Sequence, residues 1–203
     1  MMSQVMEQPI ATAAEGDRGQ LIDVVTSAFE TDPAARWIYP DTAQYRRHFP
    51  VFAQAFGGRA FEYGTAFYSG TFVGAALWLP PGTGPDEETL LALLTETLRE
   101  SEKQAAFAVF EQMGSYHPAE PHWYLPLIGV LPAMQGKGHG SALMQRVLRQ
   151  CDRDGTLAYL ESSNPRNIPF YERHGFELLG TIQVETSPPI YPMLRRPGRT
   201  IAR

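Results

Sequence analysis

Three alternating glycines, Gly136, Gly138 and Gly140, lie in the stretch Val130 to Ser141, with Lys137 among them. An apolar run, His122 to Val130, leads in, and an amphipathic helical pattern, Ser141 to Cys151, leads out. Strand, glycine-rich turn and helix in that order leave free backbone N–H groups at a helix N-terminus, where the helix dipole also favours negative charge. The chemistry on offer is anion binding, with a phosphate or pyrophosphate as the expected ligand. Spacing narrows the choice. A Walker loop needs glycine where Leu131 stands and Ser or Thr after Lys137, and this stretch has neither. A dinucleotide fingerprint, G-x-G-x-x-G, is missed because Gly140 follows Gly138 one residue too early, late in a chain with no second nucleotide-binding half.

The elements that must position this turn follow from hydrophobic periodicity. Ile10 to Ala13 reads as a short strand. Leu21, Val24, Val25, Ala28 and Phe29 recur at helical spacing and predict a first helix, broken at Asp32-Pro33. Arg36 to Asp41 reads as an aromatic-rich loop. Tyr45 to Phe56 predicts a second helix with Tyr45, Phe49, Phe52 and Phe56 on one side, ended by Gly57-Gly58. Phe61 to Tyr68 and Phe72 to Leu79 predict an antiparallel hairpin turning at Ser69-Gly70, stopped by the Pro80 to Pro85 run. Glu87 to Arg99 and Lys103 to Met113 predict two helices, an insert over 86–114 that either covers a cleft or adds core. The strand His122 to Val130, the helix Ser141 to Asp152 and the strand Leu157 to Glu161 form a βαβ unit with parallel strands. A short helix, Ile168 to His174, and a hairpin of Phe176 to Val184 with Ile190 to Leu194 complete a mixed α/β domain over 9–203.

Composition removes several function classes. The chain has 203 residues and a formal net charge of -5, which argues against nucleic acid as the main partner. No apolar run approaches a membrane span. Met1 to Gln8 lacks the blocks of a signal peptide and reads as a disordered tail. Cys151 is the single cysteine, so no intramolecular disulfide or cysteine-rich zinc site is expected, and a reducing cytoplasm fits. No metal is expected.

The run Gln135-Gly136-Lys137-Gly138-His139-Gly140 resembles the (Arg/Gln)-x-x-Gly-x-(Gly/Ala) signature of the GNAT superfamily of N-acetyltransferases. Asn164, followed by Phe170-Tyr171-Glu172-Arg173-His174-Gly175-Phe176, resembles that superfamily's asparagine, tyrosine and Gly-Phe ending, in the same order. The motifs span His122 to Val184. Within the superfamily the likeness is sharpest to puromycin N-acetyltransferase and its bacterial relatives, through Gly129-Val130, Gln135 to Ser141, Leu160-Glu161 and Pro165 to Arg173.

The resemblance implies a mixed sheet of six to seven strands with flanking helices and a splayed parallel pair that holds acetyl-CoA. The pyrophosphate would lie on the N–H groups of Gln135, Gly136, Lys137, Gly138, His139, Gly140 and Ser141. The pantetheine arm would run beside the main chain of Ile128, Gly129 and Val130 and meet Asn164 or Asn167. Tyr171 would protonate the departing thiolate. The base is left open: Glu161, at the end of a buried strand, ranks first, since a charged residue there is rarely accidental. His117 or His122 acting through water, or loss of the amine proton to solvent, are alternatives. Asp32, Trp37 and Tyr39 are candidates for binding a cationic, partly apolar amine, and Asp32 has a second reading as a helix cap. The implied activity is direct transfer of acetyl to a primary amine of a small molecule. A non-catalytic acyl-CoA sensor and a protein N-acetyltransferase are the alternatives, and exposed sheet edges would suit a homodimer.

Overall fold

The computed structural model describes residues 9–198, so the expected tail Met1 to Gln8 lies outside the described residues. The strands are β1 (Ile10–Thr12), β2 (Ala66–Ser69), β3 (Gly74–Leu79), β4 (His122–Val130), β5 (Leu157–Ser162), β6 (Glu177–Leu178) and β7 (Tyr191–Arg195). The helices are α1 (Arg18–Ala28), α2 (Pro33–Ile38), α3 (Thr42–Gly57), α4 (Glu87–Thr97), α5 (Glu100–Tyr116), α6 (His139–Asp154) and α7 (Ile168–Glu172). The strands form one sheet in the order β1-β2-β3-β4-β5-β7-β6. All neighbours are antiparallel except β4 and β5, the parallel pair of the βαβ unit.

Three sequence expectations change, the first being that the strand expected over Phe176 to Val184 is reduced to β6 and an isolated bridge between Ile182 and Ile190. Arg36 to Asp41 is not all loop, because α2 occupies Pro33–Ile38. Asp32-Pro33 does break α1, but the same pair starts the next helix. Asp32 caps it through Ala34 and Ala35, and proline suits a first helical position because its missing N–H would be unpaired there anyway. The hairpin is also shorter than its aromatic residues suggest. Gly58–Phe61 continues α3 as a 3-10 turn, and Phe61 packs into the helix-side core.

The sheet separates two cores. Leu21, Val25, Phe49, Leu77, Leu94, Tyr124 and Tyr159 share the core beneath α1, α3 and α4. Trp78, Trp123, Leu125, Leu143, Met144, Leu160 and Tyr171 share the core beneath α6 and α7. Alternation along β3 divides Leu77 and Leu79 from Ala76 and Trp78, as a pleated strand requires. Along β4 the alternation slips: Tyr124 and Leu127 share one face, while Leu125 and Ile128 pack on the other. A bulge is the cause. Leu77 pairs with Leu127 but Leu79 pairs with Tyr124, which places one extra β4 residue at Leu125-Pro126.

The bulge opens the sheet. β4 and β5 pair only through His122 to Tyr124 and Leu157 to Tyr159. Beyond them Pro126 has no N–H to give, and β4 continues to Val130 along β3 alone. The expected splay of the parallel pair is present.

Candidate active site

The turn after β4 is built for close backbone approach. Leu131 leads into a 3-10 turn at Pro132–Met134, and the Gln135 side-chain amide donates to the Val130 carbonyl at 3.2 Å, folding the turn onto the strand end. Gly136 (φ 74°) and Gly138 (φ 89°) are in the left-handed region that favours glycine. Gly138 is the N-cap of α6, and the first bond into the helix runs from the Ala142 N–H to the Gly138 carbonyl at 3.0 Å. The N–H groups of His139 and Gly140 precede that bond and face outward at the positive end of the helix dipole. The Lys137 amine donates to the Ala133 carbonyl at 3.1 Å, and Lys137 is not part of the cavity wall.

A cavity of about 720 Å³ extends from this turn through the gap between β4 and β5. Its wall includes Ile128, Gly129, Val130, Gln135, Gly136, Gly138, His139, Gly140 and Ser141 on one side of the gap. Asn164, Asn167, Tyr171 and Glu161 come from β5 and the segment after it, and Asp32, Trp37 and Tyr39 come from the start and end of α2. The predicted residues thus meet in one space, Lys137, His117 and His122 excepted. Phe49, Phe52 and Phe56 of α3 and Val109, Phe110 and Met113 of α5 complete an apolar wall; the sequence points to the first helices, the aromatic loop and the insert as the acceptor pocket without singling out these six residues. The i, i+3, i+4 spacing of the α3 phenylalanines was visible, but it signals burial without saying whether protein or ligand does the burying. The insert over 86–114 contributes α5 to this wall.

Tyr171 is 7% exposed, with its ring against Phe170 and Phe176. Burial, and secondarily the negative charge of Asp32, pushes its phenol well above the usual range, so it stays protonated at neutral pH. Asp32 is also 7% exposed. Its Oδ1 accepts from the N–H groups of Ala34 and Ala35 at 3.0 and 3.1 Å, and its Oδ2 accepts from the Ser163 hydroxyl at 2.6 Å. Burial raises its pKa, and these hydrogen bonds oppose the rise. Asp32 is therefore both helix cap and cavity wall. The Tyr39 hydroxyl shares a hydrogen bond with Thr97 at 3.1 Å, so its ring is what the cavity meets. The Trp37 indole donates to Thr186 at 3.4 Å. Asn164 accepts from the Arg166 N–H at 3.1 Å and so forms its local turn while lining the cavity.

The Glu161 side chain is 3% exposed. Its Oε1 lies 3.2 Å from His117 Nε2, a contact off the line of a good hydrogen bond, and has no aligned donor among the described residues. Alternation places Glu161 on the same sheet face as Tyr159, whereas Tyr171 packs in the opposite core. The gap between β4 and β5 thus has a carboxylate on one side and a phenol on the other.

A family model, Acetyltransferase (GNAT) family, matches residues 25–176, which include the turn, Asn164 and Tyr171. The chain belongs to the GNAT family. An N-acetyltransferase of Schizosaccharomyces pombe is 30% identical over 143 residues, covering 63% of this chain and 58% of that protein's length. A solved structure described as histone acetyltransferase HPA2 and related acetyltransferase, from Corynebacterium glutamicum, superposes with a TM-score of 0.67 at 25% identity, covering 97% of this chain and all of that one. The Drosophila melanogaster polyamine N-acetyltransferase, which forms N-acetylagmatine, shares the fold with a TM-score of 0.58 at 14% identity, over 93% of this GNAT chain and 99% of its own.

Proposed function

We propose that this GNAT protein transfers the acetyl group of acetyl-CoA to a primary amine of a small molecule by direct attack. The carrying observation is the cavity that joins the glycine turn to Tyr171 and Glu161 through the gap between β4 and β5. The residues present suit the cofactor: outward N–H groups at α6 for the pyrophosphate, and the edge of β4 not paired with β5 for an amide-bearing arm. When bound, acetyl-CoA supplies a thioester acyl group.

The protein's own groups divide the remaining work. The phenylalanine wall and Trp37 receive an apolar body, and Asp32 offers a fixed negative charge to an ammonium. Glu161 takes a proton from the amine. Main-chain N–H groups on the open edge of β4 stabilise the charge that develops on the carbonyl oxygen. Tyr171, which its raised pKa keeps protonated at neutral pH, gives its proton to the departing sulfur. Solved proteins of this fold named for agmatine and polyamine acetylation add weight to a small amine. Thiol release from acetyl-CoA, measured over a panel of amines and peptides, tests the reading. Thiol and N-acetyl amine should appear in equal amounts. Acetyl-CoA binding with no release across the panel would mark a sensor, and turnover confined to peptides would mark a protein acetyltransferase.

A further inference from the structure

Behind Glu161, outside the cavity, two histidines form a chain that ends at solvent. His117 follows α5, and His122 opens β4. His117 Nδ1 lies 3.2 Å from His122 Nε2, and His122 Nδ1 lies 2.9 Å from the Glu120 carbonyl. A carbonyl only accepts, so His122 Nδ1 carries hydrogen and, in the neutral ring, Nε2 is the bare acceptor. His117 Nδ1 must then donate to it. That leaves His117 Nε2 facing Glu161 Oε1 across 3.2 Å.

The surroundings fix this order. The His117 ring is held between Tyr124 and Tyr159, at 4.7 and 4.4 Å between centroids. The groups facing the chain are Glu161 and Tyr159 from β5, Tyr124 from β4, Tyr116 from α5 and Glu120 from the preceding loop. Burial, with the charge of Glu161 adding to it, raises both Tyr124 and Tyr159, so neither phenol gives up its proton to compete. Exposure rises outward, from 3% for the Glu161 side chain to 29% for His117, with His122 half-buried at the molecular surface.

We propose that His117 and His122 are the proton exit of the active site, passing to solvent the proton that Glu161 removes from the incoming ammonium. The inference rests on the acetyltransferase reading above. An ammonium carries one proton more than the attacking amine. Glu161 takes that proton and passes it to His117 Nε2. His117 Nδ1 then delivers its proton to His122 Nε2, and His122 releases one to water. The neutral nitrogen forms its bond to the acyl carbon as the carbon–sulfur bond breaks, and its second proton replaces the one Tyr171 gives to sulfur. Ammonium and thioester become amide, thiol and one proton in solution. Burial, as the larger cause, and the neighbouring His117 lower the pKa of His122, which favours release.

The test compares His117→Gln with the unmodified protein on two amines: an aliphatic one that is charged at pH 7, and a weakly basic one that is already neutral. The variant should lose about tenfold to a hundredfold in kcat/KM on the charged amine, with the loss shrinking as pH rises toward that amine's own pKa. Its loss on the neutral amine should be several-fold smaller, and acetyl-CoA affinity by calorimetry should match the unmodified protein. Imidazole should restore part of the activity of His117→Ala on the charged amine. Equal losses on both amines, or a full rate on the charged one, would overturn the exit. An unmodified protein that acetylates neither amine would instead remove the acetyltransferase reading.

Discussion

The Ser163 hydroxyl donates to Asp32 Oδ2 at 2.6 Å, joining the loop after β5 to the start of α2 across 131 residues of sequence. One carboxylate thereby caps a helix, anchors a loop and lines the cavity beside Tyr171. Asp32→Ala should therefore cost about 1 kcal/mol from the lost cap alone and should also raise KM for a cationic amine. Denaturant titration and steady-state kinetics separate the two effects.

Asp32 also makes a signed prediction for pH. Its folded pKa is raised, chiefly by burial. The folded state then binds its proton more tightly than the unfolded chain, so the stability this group contributes is present at acid pH and lost as pH rises through the folded value. Asp32→Asn should flatten the fall in stability as pH rises above the ordinary aspartate range. An unchanged slope would mean that other groups govern that range.

Tyr171→Phe removes a hydroxyl and keeps the ring contacts with Phe170 and Phe176. Acetyl-CoA affinity and melting temperature should hold, while kcat near neutral pH should fall about a hundredfold. A kcat within about threefold of the unmodified protein would exclude Tyr171 as the acid.

Gly138→Ala places a side chain at φ 89°, a conformation that costs an L-residue about 1–2 kcal/mol. Relief of that strain would turn the N–H groups at the start of α6. We expect lower stability together with weaker acetyl-CoA binding, measured by thermal denaturation and calorimetry. Loss of stability with affinity intact would move the pyrophosphate away from this turn.

Gly129 is constrained from its other side. A Cβ there would come within 2.5 Å of the Ala28 Cβ on α1. Gly129→Ala should cost about 1–3 kcal/mol through overpacking, and adding Ala28→Gly should recover more than the two single effects predict. Additive losses in that double-mutant cycle would show that the contact is not what demands glycine.

Local chemistry was legible in the order of residues. The span of β4 from His122 to Val130, the alternating glycines, the amphipathic face of α6, and the spacing of Asn164 and Tyr171 each depend on neighbours a few positions apart. Periodicity and turn chemistry report such relations directly. The same logic read Asp32-Pro33 as a break with a loop after it and did not predict α2, because one capped proline can end one helix and begin another. It put the α3 phenylalanines on one side of a helix without telling which of them wall the cavity.

Only the tertiary structure decided how the sheet opens and what gathers at the opening. The β4 bulge exists because Leu77 and Leu79 meet Leu127 and Tyr124 with one residue to spare, a register set between strands far apart in the chain. The meeting of Asp32 with Ser163, and of Glu161 with His117, likewise follows from packing two helical layers onto that sheet. Sequence determined which groups could bind an anion or move a proton. Long-range register and burial determined which of them share a cavity and which stand behind it, because hydrophobic periodicity tells a residue which face to bury and not what it will meet there.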